Sequence, residues 1–182
     1  MCEENTRTPE DDNMTAEEAF ALSELERLGV SFVRLTHPAA VTMELCRGIG
    51  AEYGAEHCKN LLLSNRSGNM FHLLLMDAEK PYRTSDVSKK LGVSRLSFAS
   101  VQQLYSVLGL TPGCVSALGL LNDCAKQAYA RGALRVAIDS DLLRREYLCV
   151  HPNVSTATLV VKTEDLLRLI ASLGMEITQV DI

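Results

Sequence analysis

No stretch of this 182-residue chain approaches the roughly 18–20 consecutive apolar residues that a membrane-spanning helix needs. Its first twenty residues are acidic and polar rather than basic and then apolar, which is not the pattern of a secretory leader. The sequence therefore predicts a soluble, cytoplasmic protein. The six cysteines, Cys2, Cys46, Cys58, Cys114, Cys124 and Cys149, include no C-x-x-C pair and no Cys/His spacing of a zinc site. They read as reduced, mostly buried thiols, with Cys58 set apart only by its neighbour Lys59. There is no G-x-S-x-G, no G-x-x-x-x-G-K-[ST], no G-x-G-x-x-G and no H-E-x-x-H, so the standard hydrolase, phosphate-loop, dinucleotide and zinc-protease readings are excluded. His37, His57, His72 and His151 are scattered, and none pairs with a carboxylate at metal-ligand spacing. No metal and no organic cofactor are expected.

What is present fits one globular unit. The hydrophobic fraction of 47% and charged fraction of 23% are those of an ordinary folded domain, and the length suits a single core. The net charge of −5 is unevenly placed. Residues 1–18 hold seven carboxylates against Arg7 alone, so the remaining 164 residues carry 17 Lys and Arg against 16 Asp and Glu. A near-neutral fold disfavours a protein that grips duplex DNA through a broad basic face, but it leaves room for a small basic cleft that takes one RNA end. Residues 1–14 read as a flexible acidic tail and residues 15–182 as the folded domain.

Thr15 and Glu18 form a capping-box pattern that opens a helix running to Gly29. Residues 30–35 alternate as a strand ending at His37-Pro38, and Thr42 starts a short helix. Two apolar runs, at 58–63 and 70–76, flank Asn65-Arg66-Ser67-Gly68-Asn69 and predict an antiparallel hairpin at the centre of a sheet. Further helices are expected at 85–91, 100–108, 141–147 and 166–173, the last capped by Thr163. Strands are expected at 95–99, 115–120, 134–138, 148–150, 157–161 and 177–180, with Thr111-Pro112-Gly113 and Asn122-Asp123 as turns. The fold class is α+β, or mixed α/β, with a central mixed and largely antiparallel sheet flanked by helices.

Several polar residues sit in apolar strands or at their ends. Lys59 and Asn60 open the Leu61-Leu62-Leu63 run, where the lysine either snorkels or faces a cleft. Asn122-Asp123 is explained as a turn, and the hydroxyls of Thr156 and Thr158 fall on one strand face, which ordinary strand propensity also explains. His72 reads as a packed or surface histidine. The small residues Gly113, Ser116, Ala117 and Gly119 fit a tight, shallow pocket and close packing equally well.

Taken together, Lys59-Asn60-Leu61, Arg95-Leu-Ser-Phe-Ala-Ser100, Leu108-Gly-Leu-Thr-Pro-Gly113-Cys-Val-Ser116, Gly119-Leu-Leu-Asn122-Asp123 and His151-Pro152-Asn153 with Thr156-Ala-Thr158 resemble the YbaK/prolyl-tRNA-editing family, in its free-standing ProX-type branch. The five fragments lie in order over nearly the whole chain from about residue 15 to 182. The resemblance implies a mixed α/β editing domain that hydrolyses the ester of a mischarged tRNA, in this branch alanine on proline tRNA. A cysteine or another small amino acid is the near alternative, and a non-catalytic module that binds charged tRNA or a synthetase is the reading from another class.

Carried over residue by residue, Lys59 matches the family's essential pocket lysine and Asn60 stands beside it. Arg95 matches the arginine that holds the acceptor end, and Gly113 the glycine of a G-x-x-x-P segment lining the aminoacyl pocket together with Ser116. Ala117 stands where many relatives have proline, and Ser155-Thr156 where the family has Asn-Thr after its His-Pro. Asn122, Asp123, His151 and Thr156 complete the implied substrate-binding set, with Lys59 and Gly113 as the implied catalytic pair. The implied partner is the acceptor end of a mischarged tRNA. Prolyl-tRNA synthetase, an elongation factor and a second copy of the chain stay open as further partners, while sequence-specific DNA and membranes are not expected.

Overall fold

Two apolar runs joined by a polar turn build the centre of the structure, a computed structural model that describes residues 14–182. Strand β2 (Glu56–Asn65) pairs antiparallel with β3 (Phe71–Asp77), from Cys58 opposite Asp77 to Ser64 opposite Phe71. The turn closes because Asn65 Oδ1 accepts from the amides of Asn69 and Met70, while Gly68 takes a φ of 67° that a side chain would resist. Every residue of β3 is buried, as expected of an inner strand covered on both faces.

The other strands are β1 (Phe32–Thr36), β4 (Leu96–Phe98), β5 (Leu134–Asp139), β6 (Tyr147–Val150), β7 (Ala157–Lys162) and β8 (Ile177–Val180). They order as β1-β7-β6-β2-β3-β5-β8, with β4 added to β2. The β1/β7, β2/β3, β2/β4 and β6/β7 pairs are antiparallel, whereas β2/β6, β3/β5 and β5/β8 are parallel. One edge of β2 is shared between two partners. Its start pairs with β6 at Glu56 and His57, and its end pairs with β4 from Leu63 to Asn65. Between them the sheet forks, and among the described residues no strand lies beside the edge of Lys59, Asn60 and Leu61.

Helices α1 (Ala16–Arg27), α4 (Val101–Leu108), α5 (Asp123–Ala130) and α6 (Thr163–Ser172) cover one face of the sheet and build the main core. The opposite face is covered in two pieces. Helix α3 (Thr84–Lys90) packs Val87 with Leu63, Leu74, Met76 and Leu96. Across the β1/β7/β6 side, the segment containing α2 (Met43–Cys46) brings Gly50 so close that a Cβ there would lie 2.6 Å from Cys149 Sγ.

Some sequence expectations need correction. Residues 117–121 form a 3-10 helix rather than a strand, because Ser116 Oγ caps Leu118 N and all five residues are buried on every side. Asn122-Asp123 is not a free turn but the start of α5, where Asn122 is the N-cap residue and its Nδ2 donates to Leu108 O at the end of α4. The 141–147 helix shrinks to a 3-10 turn at Leu142–Arg144, since Tyr147 already pairs in β6. Thr163 is the first residue of α6 rather than its cap, and its hydroxyl has no partner among the described residues. At α1, Thr15 caps Glu18 N as expected, but the Glu18 carboxylate accepts from Arg34 Nε at 2.7 Å. The acidic-tail expectation lies outside the described residues except at Met14, which packs against the main core. Among the described residues no helix is long and apolar enough to cross a membrane.

Candidate active site

Strand alternation decides which polar residues can meet. On β2, Cys58 and Leu62 enter the main core, so Lys59 shares the opposite face with Leu61 and Leu63. On β6, Leu148 and Val150 enter the same core, while Cys149 joins Ala55 and Val160 on the opposite face. His57, two residues before Lys59, and His151, two after Cys149, follow that opposite parity, and their ring centroids lie 6.5 Å apart. His37 reaches the group from the end of β1, its Nε2 lying 2.9 Å from Oγ1 of the buried Thr158. Three of the four histidines that look scattered in sequence thus gather beside the fork at Lys59. Only their strand parity could have signalled this, and reading it requires the pairing of β2 with β6.

Backbone carbonyls fix the imidazoles. His57 Nε2 donates to Ile49 O at 3.0 Å and His151 Nδ1 to Ala157 O at 3.1 Å, which leaves His57 Nδ1 and His151 Nε2 as acceptors. His37 Nδ1 donates to Pro38 O, so its Nε2 accepts from Thr158. No group among the described residues could hold a metal ion. Burial pushes the His57 and His151 imidazoles below their ordinary value, more strongly than the Ile49 and Ala157 carbonyls raise them, and burial lowers His72 as well. The three rings are therefore neutral in the folded protein when the unfolded chain, with histidines near ~6.5, begins to take up protons. Stability is full above about pH 6.5 and falls as the pH drops below it. The urea midpoint is expected to decline from pH 7.5 to pH 5.5 with an unchanged slope; a constant or rising midpoint contradicts this assignment.

Lys59 is half-buried, and its Nζ donates to Lys80 O at 2.7 Å. Asn60 faces the other way, its amide lying against the Cys58 carbonyl and thiol. Burial pushes the Cys58 thiol up to about 11 and Cys149 up to about 12, so neither is a nucleophile near neutral pH despite the lysine beside Cys58. Gly113 occupies the third position of the turn Thr111-Pro112-Gly113-Cys114, closed by Cys114 N donating to Thr111 O at 3.1 Å. Its φ of 86° with proline before it is that of a type II turn, and Val41 packs against it. Ser116 Oγ donates to His151 O at 2.6 Å, and Ala40 N donates to Ser155 O at 2.7 Å. The loops around 40, 113 and 153 are thereby tied to one another.

The remaining sequence candidates are dispersed. Ala117 is wholly buried, and a Cβ on Gly119 would lie 2.6 Å from Leu110 Cδ1, so close packing accounts for these two small residues. Asp123 is exposed and lies 3.6 Å from Lys126. Arg95 is exposed just before β4. Thr156 is exposed before β7, whereas Thr158 is buried, so the two hydroxyls do not share one environment. Asn153 is buried with a φ of 64°, and neither side-chain polar atom has a partner among the described residues. A cleft of about 400 Å³ opens beside His57, rimmed by Arg47, Glu56, Asp77, Glu79 and Arg145. Arg145 lies 2.7 Å from Glu56 and 3.6 Å from Asp77, and Arg47 3.9 Å from Glu79, so three carboxylates face two arginines and the cleft is not basic.

Comparison with known proteins places this geometry. Residues 37–169 match the model of the aminoacyl-tRNA editing domain. The chain is 31% identical over 162 residues to the prolyl-tRNA editing protein ProX of Acetoanaerobium sticklandii, a match covering 89% of this chain and 94% of the relative. It is 28% identical over 160 residues to the mouse (Mus musculus) prolyl-tRNA synthetase associated domain-containing protein 1, covering 84% and 90%. A crystal structure of a proposed trans-editing enzyme for prolyl tRNA synthetase superposes with a TM-score of 0.66 at 18% identity, covering 93% of this chain and 99% of that one; at this identity the likeness is one of fold.

Proposed function

Since the chain belongs to the aminoacyl-tRNA editing domain family, we propose that it is a trans-acting deacylase that clears mischarged proline tRNA in the cytoplasm, with residues 15–182 as the editing domain. The observation that carries this reading is Lys59 at the fork of the sheet, on the same face as His57 and His151. An aminoacyl ester is already activated. Hydrolysis needs a positioned water and stabilisation of the oxyanion, not a strong protein nucleophile. Water adds to the ester carbonyl carbon, the bond from that carbon to the ribose oxygen breaks, and one proton of the water ends on the freed ribose hydroxyl. In this reading Lys59 neutralises charge at the ester or the terminal phosphate, backbone amides around Gly113 other than the Cys114 N–H face the oxyanion, and the ribose hydroxyl helps to place the water. Arg95 holds the acceptor end.

The favoured substrate is alanine on proline tRNA. A synthetase pocket shaped for proline rejects a smaller side chain by only ~1–3 kcal/mol, so a second site that admits alanine and excludes proline supplies the missing discrimination. The test is hydrolysis of alanyl-, cysteinyl- and prolyl-tRNA(Pro) under one set of conditions. Cleavage of the alanyl ester with the prolyl ester spared is the expected result. Preferential cleavage of the cysteinyl ester reassigns the amino acid, and equal cleavage of all three removes the sieve.

A further inference from the structure

The Lys59 ammonium ends a flexible four-carbon chain, and such a group contributes to a reaction only if the fold holds it in place. What holds it among the described residues is the backbone carbonyl of Lys80, at 2.7 Å. Lys80 lies in the loop between β3 and α3, and that loop is fastened at several points. Glu79 N donates to Asp77 Oδ1 at 2.8 Å and Lys80 N to Asp77 O at 3.3 Å, while Pro81 narrows the backbone choices of the residue before it. The strongest fastening is the side chain of Lys80 itself. Its Nζ lies 2.8 Å from Asp139 Oδ1 and 2.7 Å from Asp141 Oδ2. Asp139, at the end of β5, is 0% exposed, and its carboxylate also accepts from the amides of Asp77 and Asp141.

From this chain of contacts we infer that Lys80 is a positioning residue for the deacylation site, with its ammonium locked to β5 through Asp139 and Asp141 so that its carbonyl presents a fixed acceptor to Lys59. The inference deepens the proposed function and rests on it. It accounts for the pairing of a buried carboxylate at the end of an inner strand with a loop lysine.

The test is a double-mutant cycle on deacylation of the mischarged tRNA, with Lys59→Ala, Lys80→Met and the pair together, each rate expressed per folded molecule from a parallel melting curve. Lys80→Met is expected to lower kcat/KM roughly 10-fold to 30-fold, through the same parameter, kcat or KM, that Lys59→Ala changes. It should have no further effect in the Lys59→Ala background. Lys80→Arg, which keeps the ion pairs, should recover most of the rate. Because Lys80→Met strands the buried Asp139, Asp141→Asn serves as the second variant; it loosens the same ammonium from its more exposed partner and is expected to cause a smaller loss of the same kind. Full activity per folded molecule in both variants, or losses that add to that of Lys59→Ala, overturns the positioning role. Wild type that cleaves no ester overturns the proposed function instead, so the two failures are distinguishable.

Discussion

Lys59→Ala is expected to lower the rate of deacylation of mischarged proline tRNA by about 10²–10³-fold, the usual effect of removing a pre-placed charge from a site where charge develops in the reaction. The variant should fold. Lys59 is half-buried on the face away from the main core, and the burial of β2 in that core comes from Cys58 and Leu62. Among the described residues its side chain hydrogen-bonds to the Lys80 carbonyl, in a loop rather than in the core. Lys59→Arg is expected to recover only part of the rate, because a planar guanidinium cannot occupy the place of a compact ammonium against the Lys80 carbonyl. A Lys59→Ala protein that hydrolyses the ester near the wild-type rate would remove this residue from the chemistry.

The second large effect is expected at Gly113. Its φ of 86° lies where a side chain is strained by roughly 1–2 kcal/mol, and a Cβ there would meet Val41 Cγ1 at 3.1 Å and Val41 Cβ at 3.3 Å. Gly113→Ala relieves both by moving the turn, and displacement of the turn amides by a fraction of an ångström to an ångström is expected to lower deacylation about 10²-fold. Stability should change far less, with a melting temperature lower by about 2–4 °C for each ~1 kcal/mol in a chain of this size. Adding Val41→Ala removes the crowding but not the strain in φ, so the double variant should remain impaired. Recovery in the double variant would place the effect in the Val41 contact alone, and unimpaired Gly113→Ala would separate the turn from the reaction.

Much of the fold is legible because local chemistry and global packing agree. The Asn-rich turn between two leucine runs announces the β2/β3 hairpin, and Ser100, Thr42 and Thr15 cap the helices that the sequence assigns to them. Failures fall where one signal serves two structures. Ala117-Leu118-Gly119-Leu120-Leu121 is uniformly apolar and buried, so periodicity cannot separate a strand from a 3-10 turn. Asn122-Asp123 suits a turn and a helix start alike. The fork is invisible in sequence because it arises from pairing β2 in parallel with β6, about ninety residues later, while β4 takes the other end of the same edge. The site suffers most from this. Lys59 is conspicuous as a charge in an apolar run, yet His37 and His57 gain meaning only once the sheet sets them beside His151.

Whether this fold hydrolyses the ester or only binds its carrier is decided by following alanyl-tRNA(Pro) under single-turnover conditions with binding recorded on the same samples. Wild type is expected to release alanine well above the spontaneous rate, and Lys59→Ala to bind with release slowed about 10²-fold or more. Wild type that binds the charged tRNA while the ester decays at the buffer rate would contradict the deacylase assignment and make the protein a binding module on an editing fold.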